Sequence, residues 1–160
     1  MAAFVLELVI DGEQQVLSAL SRFGEYANDL HVPFGEMATD FARAEGARFA
    51  AQGPGWAALS PEYAAWKAAH YPGKPILQRT GALLGSLTGG AGFIREITDE
   101  AMTLGTRVGY ARFHQRGTGR MPKREVIRLQ PEDRLRWAKI MQKHLVAEAR
   151  RAGLMAEATG

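Results

Sequence analysis

The period of the apolar positions changes along this chain, and each change marks an element. Phe4-Val5-Leu6-Glu7-Leu8-Val9-Ile10 is a β-branched apolar run closed by Asp11-Gly12, which predicts a strand. Val16, Leu17, Leu20, Phe23 and Ala27 then recur at helical spacing behind Asp11, a residue suited to the N-cap. His31-Val32-Pro33 breaks that pattern. Phe34, Met37, Ala38, Phe41, Ala44 and Phe49 give one apolar side to a second helix over about residues 33–51. Gln52-Gly53-Pro54-Gly55 stops it.

The middle is less regular. Ser60-Pro61-Glu62 has the order N-cap, first helical residue, acidic first turn, and predicts a short helix carrying Tyr63, Trp66 and Lys67. Tyr71-Pro72-Gly73-Lys74-Pro75 is a turn or extended loop. Thr80 is placed to cap another short helix through Leu83, Leu84 and Leu87, and Gly81 beside it is expected to permit a tight approach. Gly89-Gly90 ends this helix, and residues 92–98 and 101–109 read as a hairpin around Asp99-Glu100.

The run from Gly109 to Pro122 mixes aromatics, glycines, arginines and a proline. Each glycine inside a helix costs about 1 kcal/mol, so a strand ending in a flexible basic loop is expected. Alternation would then place Arg112 beside Tyr110 and His114, with Ala111 and Phe113 on the other side. Phe113 is expected in the core and His114 at the surface or an interface. Residues 125–129 predict a short strand returning to the sheet. Pro131-Glu132-Asp133 opens a last helix with Leu135, Ile140, Leu145 and Val146 on its apolar side. Its polar side carries Arg134, Arg136, Lys139, Lys143 and Arg150. Helices and antiparallel strands are thus partly segregated. The prediction is α+β: a small antiparallel sheet packed by two or three longer helices, with an irregular aromatic-rich middle. One domain is expected over residues 1–153, with residues 154–160 as a disordered tail.

Composition narrows the function. A length of 160 residues suits one domain with a real core. There is no cysteine, so no disulfide framework and no thiolate metal site, which fits a reducing compartment. The first residues lack a basic region, so no secretory signal is expected, and no apolar run is long enough to span a membrane. Charge is uneven: residues 1–100 hold 7 basic and 12 acidic residues, whereas residues 107–151 hold 13 and 4. Such asymmetry suits nucleic-acid contact or head-to-tail packing of subunits. The acidic first half favours the second.

Candidate chemistry is sparse. His31, His70, His114 and His144 have no metal-ligand spacing. Ser60, Ser86 and His114 form no nucleophile motif, and Glu36, Asp40 and Glu62 specify no carboxylate pair. Gly81-x-x-x-Gly85-Ser86 lacks the Lys-Ser/Thr ending of a phosphate loop. No catalytic residue, metal ligand or cofactor is therefore assigned. Arg107, Arg112, Arg116, Arg120, Lys123, Arg124 and Arg128 form a basic cluster. It is either a solvated loop or a contact surface for a neighbour's carboxylates or for DNA phosphates. Gly117-Thr118-Gly119 is expected to order on contact. Trp56, Tyr63 and Trp66 either pack the middle onto the sheet or anchor an interface.

The order Tyr110-Ala111-x-Phe113-His114-Gln115-x-Gly117-Thr118, then Met121-Pro122-x-Arg124, resembles the signature of the phage virion morphogenesis (tail completion) family, the Mu-type head–tail joining proteins. Trp56, then Leu59-Ser60-Pro61-x-Tyr63, then Trp66-Lys67 is similar to a second family stretch, and Leu77-x-x-Thr80-Gly81-x-Leu83 to a third. Glu125-Val126 departs from the usual hydrophobic residue and phenylalanine after the Met-Pro motif. The resemblance covers roughly residues 5–150. It implies a small α+β structural protein of the virion, assembled in the host cytoplasm, that finishes the head-proximal end of the tail. The implied partners are further copies in a ring (sixfold for a tail), tail tube and terminator proteins, head-connector proteins, and DNA passing through the channel. Arg112, His114, Gln115, Arg116, Arg120, Lys123 and Arg124 are the expected assembly residues. Trp56, Tyr63, Trp66, Thr80, Gly81, Tyr110, Phe113, Gly117, Thr118 and Pro122 are the expected core or signature residues. A nucleic-acid-binding module using residues 107–128 and the last helix is the competing reading, and a small cell-wall hydrolase is a third.

Overall fold

A computed structural model describes residues 13–155. The expected strand at Phe4–Ile10, the cap at Asp11 and residues 156–160 of the tail lie outside the described residues. The described elements are α1 (Glu13–Ala27), α2 (His31–Ala50), α3 (Pro61–His70), α4 (Ala82–Gly85), β1 (Phe93–Ile97), β2 (Met102–Thr106), α5 (Ala111–Arg116) and α6 (Pro131–Arg151). This is an α+β arrangement with three longer helices and a two-stranded antiparallel sheet.

The second helix starts two residues before Pro33, which its first turn accommodates because N–H groups there have no helical partner. α2 buries Met37, Ala38, Phe41 and Phe49. α6 runs antiparallel to it, and the ion pairs between them fix the direction: Glu36 with Lys143 at 2.7 Å and Asp40 with Arg136 at 3.1 Å. Trp137 of α6 donates Nε1–H to Asp40 Oδ2 at 3.1 Å. Leu135, expected on the apolar side, is instead 58% exposed. The inward place belongs to Trp137, which packs against the core while its N–H finds a carboxylate. Asp133 caps α6 by accepting from Gln130 N at 2.7 Å.

The hairpin pairs Phe93 with Thr106 through Ile97 with Met102, and Phe93 stacks on Phe41 of α2 at 6.3 Å. Phe41, Phe49, Leu83, Leu87, Ala111 and Val126 form the buried centre. Ser86 is buried there and holds α4 to β2: its Oγ donates to Leu83 O at 2.8 Å and lies 2.6 Å from Thr106 Oγ1.

Two expected strands are absent among the described residues. The strand over residues 109–114 is replaced by α5, because the glycines flank that segment rather than interrupt it. Gly109 precedes α5 and Gly117 ends it with φ +75°. Helical period then replaces alternation. Ala111 faces the core at 6% exposure, whereas Phe113, expected inside, is 43% exposed. The returning strand at residues 125–129 is also missing. Its backbone is bonded by a side chain instead: Gln115 Oε1 accepts from Val126 N at 2.9 Å and Ile127 N at 3.0 Å, and Gln115 Nε2 donates to Ile127 O at 2.8 Å.

Candidate functional site

α3 is set up by its first residues. Ser60 Oγ accepts from Tyr63 N at 3.3 Å, and Pro61 supplies a preset φ at the first position. The helix then sorts its side chains by face. Lys67 turns inward and donates from Nζ to Pro75 O at 2.5 Å, and burial lowers its pKa. Tyr63 and Trp66 turn outward, about 40% exposed each. They stack at 5.5 Å, and His70 stacks on Trp66 at 4.7 Å. Neither ring packs onto the sheet. Trp56 does reach the core, edge-on to Phe49 at 5.1 Å, with Nε1–H donated to Glu125 O at 2.8 Å.

The chain returns through Leu77, whose φ of +61° is rare for a branched side chain. Thr80, expected as the cap of α4, lies one residue before it: Gly81 holds the N-cap position without a side-chain bond, and Thr80 Oγ1 accepts from Ala82 N at 3.3 Å in a local turn. Gly81 has φ +80° and open space where a Cβ would stand. Its role is therefore the left-handed backbone, not the tight approach expected.

After α5, Thr118 and Met121 close a turn, with N–H to O distances of 2.8 and 3.2 Å in the two directions. The loop expected to await contact is thus already a hydrogen-bonded turn in the single chain. A Cβ on Gly117 would lie 2.9 Å from Lys123 N, so the turn requires glycine there. Arg124, expected at a contact surface, is 4% exposed. Its Nε donates to Ala57 O and its Nη2 to Ala58 O, both at 2.7 Å. Gln115, also expected at the surface, is spent on residues 126–127 as described. Both residues are internal ties, because a buried guanidinium or amide takes backbone carbonyls as partners when no carboxylate is near.

These ties gather the three motif segments around one groove of about 620 Å³. Leu59, Tyr63, Leu77, Tyr110, Phe113, Met121 and Pro122 supply apolar walls. Ser60, Lys67, Arg79, Thr80, His114, Arg120 and Arg124 supply the polar atoms. His114, expected at the surface or an interface, is half-buried in the groove wall, with Tyr110 edge-on at 6.1 Å. Burial, then the nearby Arg124 charge, holds the imidazole below its ordinary range.

Of the expected residues, Tyr63, Thr80, Tyr110, Phe113, His114, Arg120, Pro122 and Arg124 converge on the groove, while Trp56, Gln115, Gly117 and Thr118 build its frame. Trp66 and Gly81 sit beside it. Arg112 lies over the Phe113 ring at 4.7 Å, and Lys123 pairs with Glu125 at 2.5 Å. Among the described residues, Arg116 and Arg120 have no ion pair. Sequence reasoning missed Leu77, Arg79 and Met121 as walls, although all three lie in or beside the quoted motifs.

The charge asymmetry has a partly internal use. α6 side chains meet α2 carboxylates: Arg136 pairs with Asp40 and Lys143 with Glu36, and His144 Nε2 lies 2.9 Å from Glu36 Oε1. Burial pushes Asp40 upward, but Arg43, Arg136 and Trp137 outweigh it and hold it below the usual carboxylate range. These pairs occupy part of the surface that nucleic-acid contact by α6 would need. A further exposed cluster joins the hairpin tip to α2: His31 Nδ1 lies 2.8 Å from Asp29 and 3.2 Å from Asp99. These three residues place ligand atoms within reach of one metal ion, a juxtaposition the histidine spacing did not predict. No helix among the described residues is long and apolar enough to cross a membrane.

The family model of the phage virion morphogenesis family matches residues 11–146. No curated protein and no solved structure matches.

Proposed function

The chain belongs to the phage virion morphogenesis family, and on that premise we propose that it is a ring subunit at the head–tail junction. It acts there by contact rather than by turnover. It completes the head-proximal end of the tail and binds tail tube or terminator proteins on one side and head-connector proteins on the other.

One observation carries this reading. Tyr63, Trp66, Tyr110 and Phe113 are all exposed, Arg112 lies over the Phe113 ring, and Arg120 lines the groove together with Tyr63, Tyr110 and Phe113. A solvated cationic loop has no use for four open aromatic rings. Aromatic residues and arginine are the side chains that dominate interface energetics. Heterologous contacts between such a face and a different face of the next copy close into a ring when the rotation permits.

The experiment is mass measurement of the purified protein, alone and mixed with tail tubes, for the unmodified chain and for Arg116→Glu/Arg120→Glu. The unmodified chain is expected to form a closed oligomer or to bind the tubes, and the variant to stay folded but lose that association. A variant that assembles normally removes the loop from the interface. An unmodified chain that remains monomeric in both settings overturns the ring.

A further inference from the structure

The ring needs a device that joins one copy to the next. Resting on that reading, we propose that the groove of each copy receives residues 4–11 of its neighbour.

The groove selects an apolar and acidic occupant. Its lining residues include no carboxylate. Lys67 and Arg124 are committed to backbone carbonyls. Arg79 and Arg120 are exposed and have no ion pair among the described residues, so their charges await an anion. The walls are rings and aliphatic chains. An occupant should bring apolar side chains at regular intervals and acids beside them.

Residues 4–11 have that composition. In extended form Phe4, Leu6, Leu8 and Ile10 share one face, and Glu7 and Asp11 fall on the other. No lysine or arginine occurs before Arg22, so nothing in this segment repels Arg79 or Arg120.

Placement makes the contact intermolecular. α1 lies along the C-terminal end of α6, where Arg22 donates to Ala152 O at 3.2 Å. The groove lies at the other end of the molecule, next to the C-terminal end of α2, where Gln78 and Trp56 meet Phe49. α2 has 20 residues and is about 30 Å long. α1, which follows the donor segment in the chain, and the receiving groove thus sit at opposite ends, which is the arrangement a head-to-tail contact uses. Leu17 and Leu20 of α1 are half-exposed and extend the apolar donor surface toward the body of the protein.

The chain has no cysteine, so engineered pairs report without background. Full-length Leu8→Cys is mixed with full-length Met121→Cys and oxidised, with Tyr63→Cys as a second receiver. Lys139→Cys, on the exposed polar side of α6, serves as the control. Heterodimers are expected with both groove positions and not with the control. Arg79→Glu/Arg120→Glu in the receiver should cut the yield at least tenfold, and Glu7→Lys/Asp11→Lys in the donor should restore it. Native mass is recorded on the same samples. A ring that forms without groove-specific crosslinks overturns this inference and leaves the ring standing, and a chain that stays monomeric overturns both. Crosslinking within one chain of a Leu8→Cys/Met121→Cys double variant, or a yield indifferent to the charge reversals, overturns the exchange between copies.

Discussion

The side-chain amide of Gln115 bonds both backbone groups of Ile127, accepting from its N–H at 3.0 Å and donating to its carbonyl at 2.8 Å. The same Oε1 accepts from Val126 N at 2.9 Å. One side chain on α5 thus stands where a neighbouring strand would. A buried group left unpaired costs about 1–3 kcal/mol. Gln115→Ala is expected to lose at least about 2 kcal/mol in denaturant unfolding, and Gln115→Glu, which keeps the acceptor, less. Unchanged stability in both variants would show that the amide does not organise residues 125–129.

The turn after α5 depends on one glycine. Gly117→Ala must adopt φ +75° and press a methyl against Lys123 N, so a loss of more than about 1 kcal/mol is expected. Gly119 has open space and no positive φ, so Gly119→Ala should stay within about 0.5 kcal/mol. Thermal melts of the two variants side by side test this. Equal effects would contradict the turn.

Glu45 gives stability a pH dependence. It is buried on α2, with Oε1 2.6 Å from Arg48 Nη1 and Oε2 without a partner among the described residues. Burial outweighs the Arg48 charge and raises its pKa to about 7, with Asp133 adding to the rise. A folded-state pKa above the unfolded one means that the contribution is complete below about pH 4.5 and is lost as pH rises through 7. The span corresponds to about 3 kcal/mol. Glu45→Gln is expected to flatten the decline between pH 5 and 8 and to be more stable than the unmodified chain at pH 8. Melting temperatures at the two pH values check it, and an unchanged slope would refute the assignment.

The faces of α5 predict opposite outcomes for neighbouring positions. Phe113→Ala removes an exposed ring and should cost less than about 1 kcal/mol in the monomer, while weakening assembly measured by sedimentation. Ala111→Leu forces methylenes into a filled core and should cost about 1–3 kcal/mol. A loss of about 3–5 kcal/mol for Phe113→Ala would instead indicate a buried ring, as in a strand.

Features whose causes are local were legible in the sequence by itself. Ser60 caps α3, Thr80 bonds ahead of α4, and the apolar repeat from Met37 to Phe49 makes one side of α2. Residues 93–106 pair as a hairpin, and three short motifs named the family. Each rests on residues within a turn or two of one another. The tertiary structure alone decided the rest. Whether residues 111–116 coil or extend depends on Gln115 meeting Ile127 and Ala111 meeting the core, partners that no local rule weighs. Arg124 read as a surface cation until the distant carbonyls of Ala57 and Ala58 claimed it. The acidic and basic halves read as surfaces for other molecules, yet α2 and α6 bring many of those charges together within one chain. Sequence shows what a side chain offers. Only the fold supplies the partner, because hydrogen bonds and ion pairs act over a few ångströms and the chain can bring residues 66 or 96 positions apart within that range.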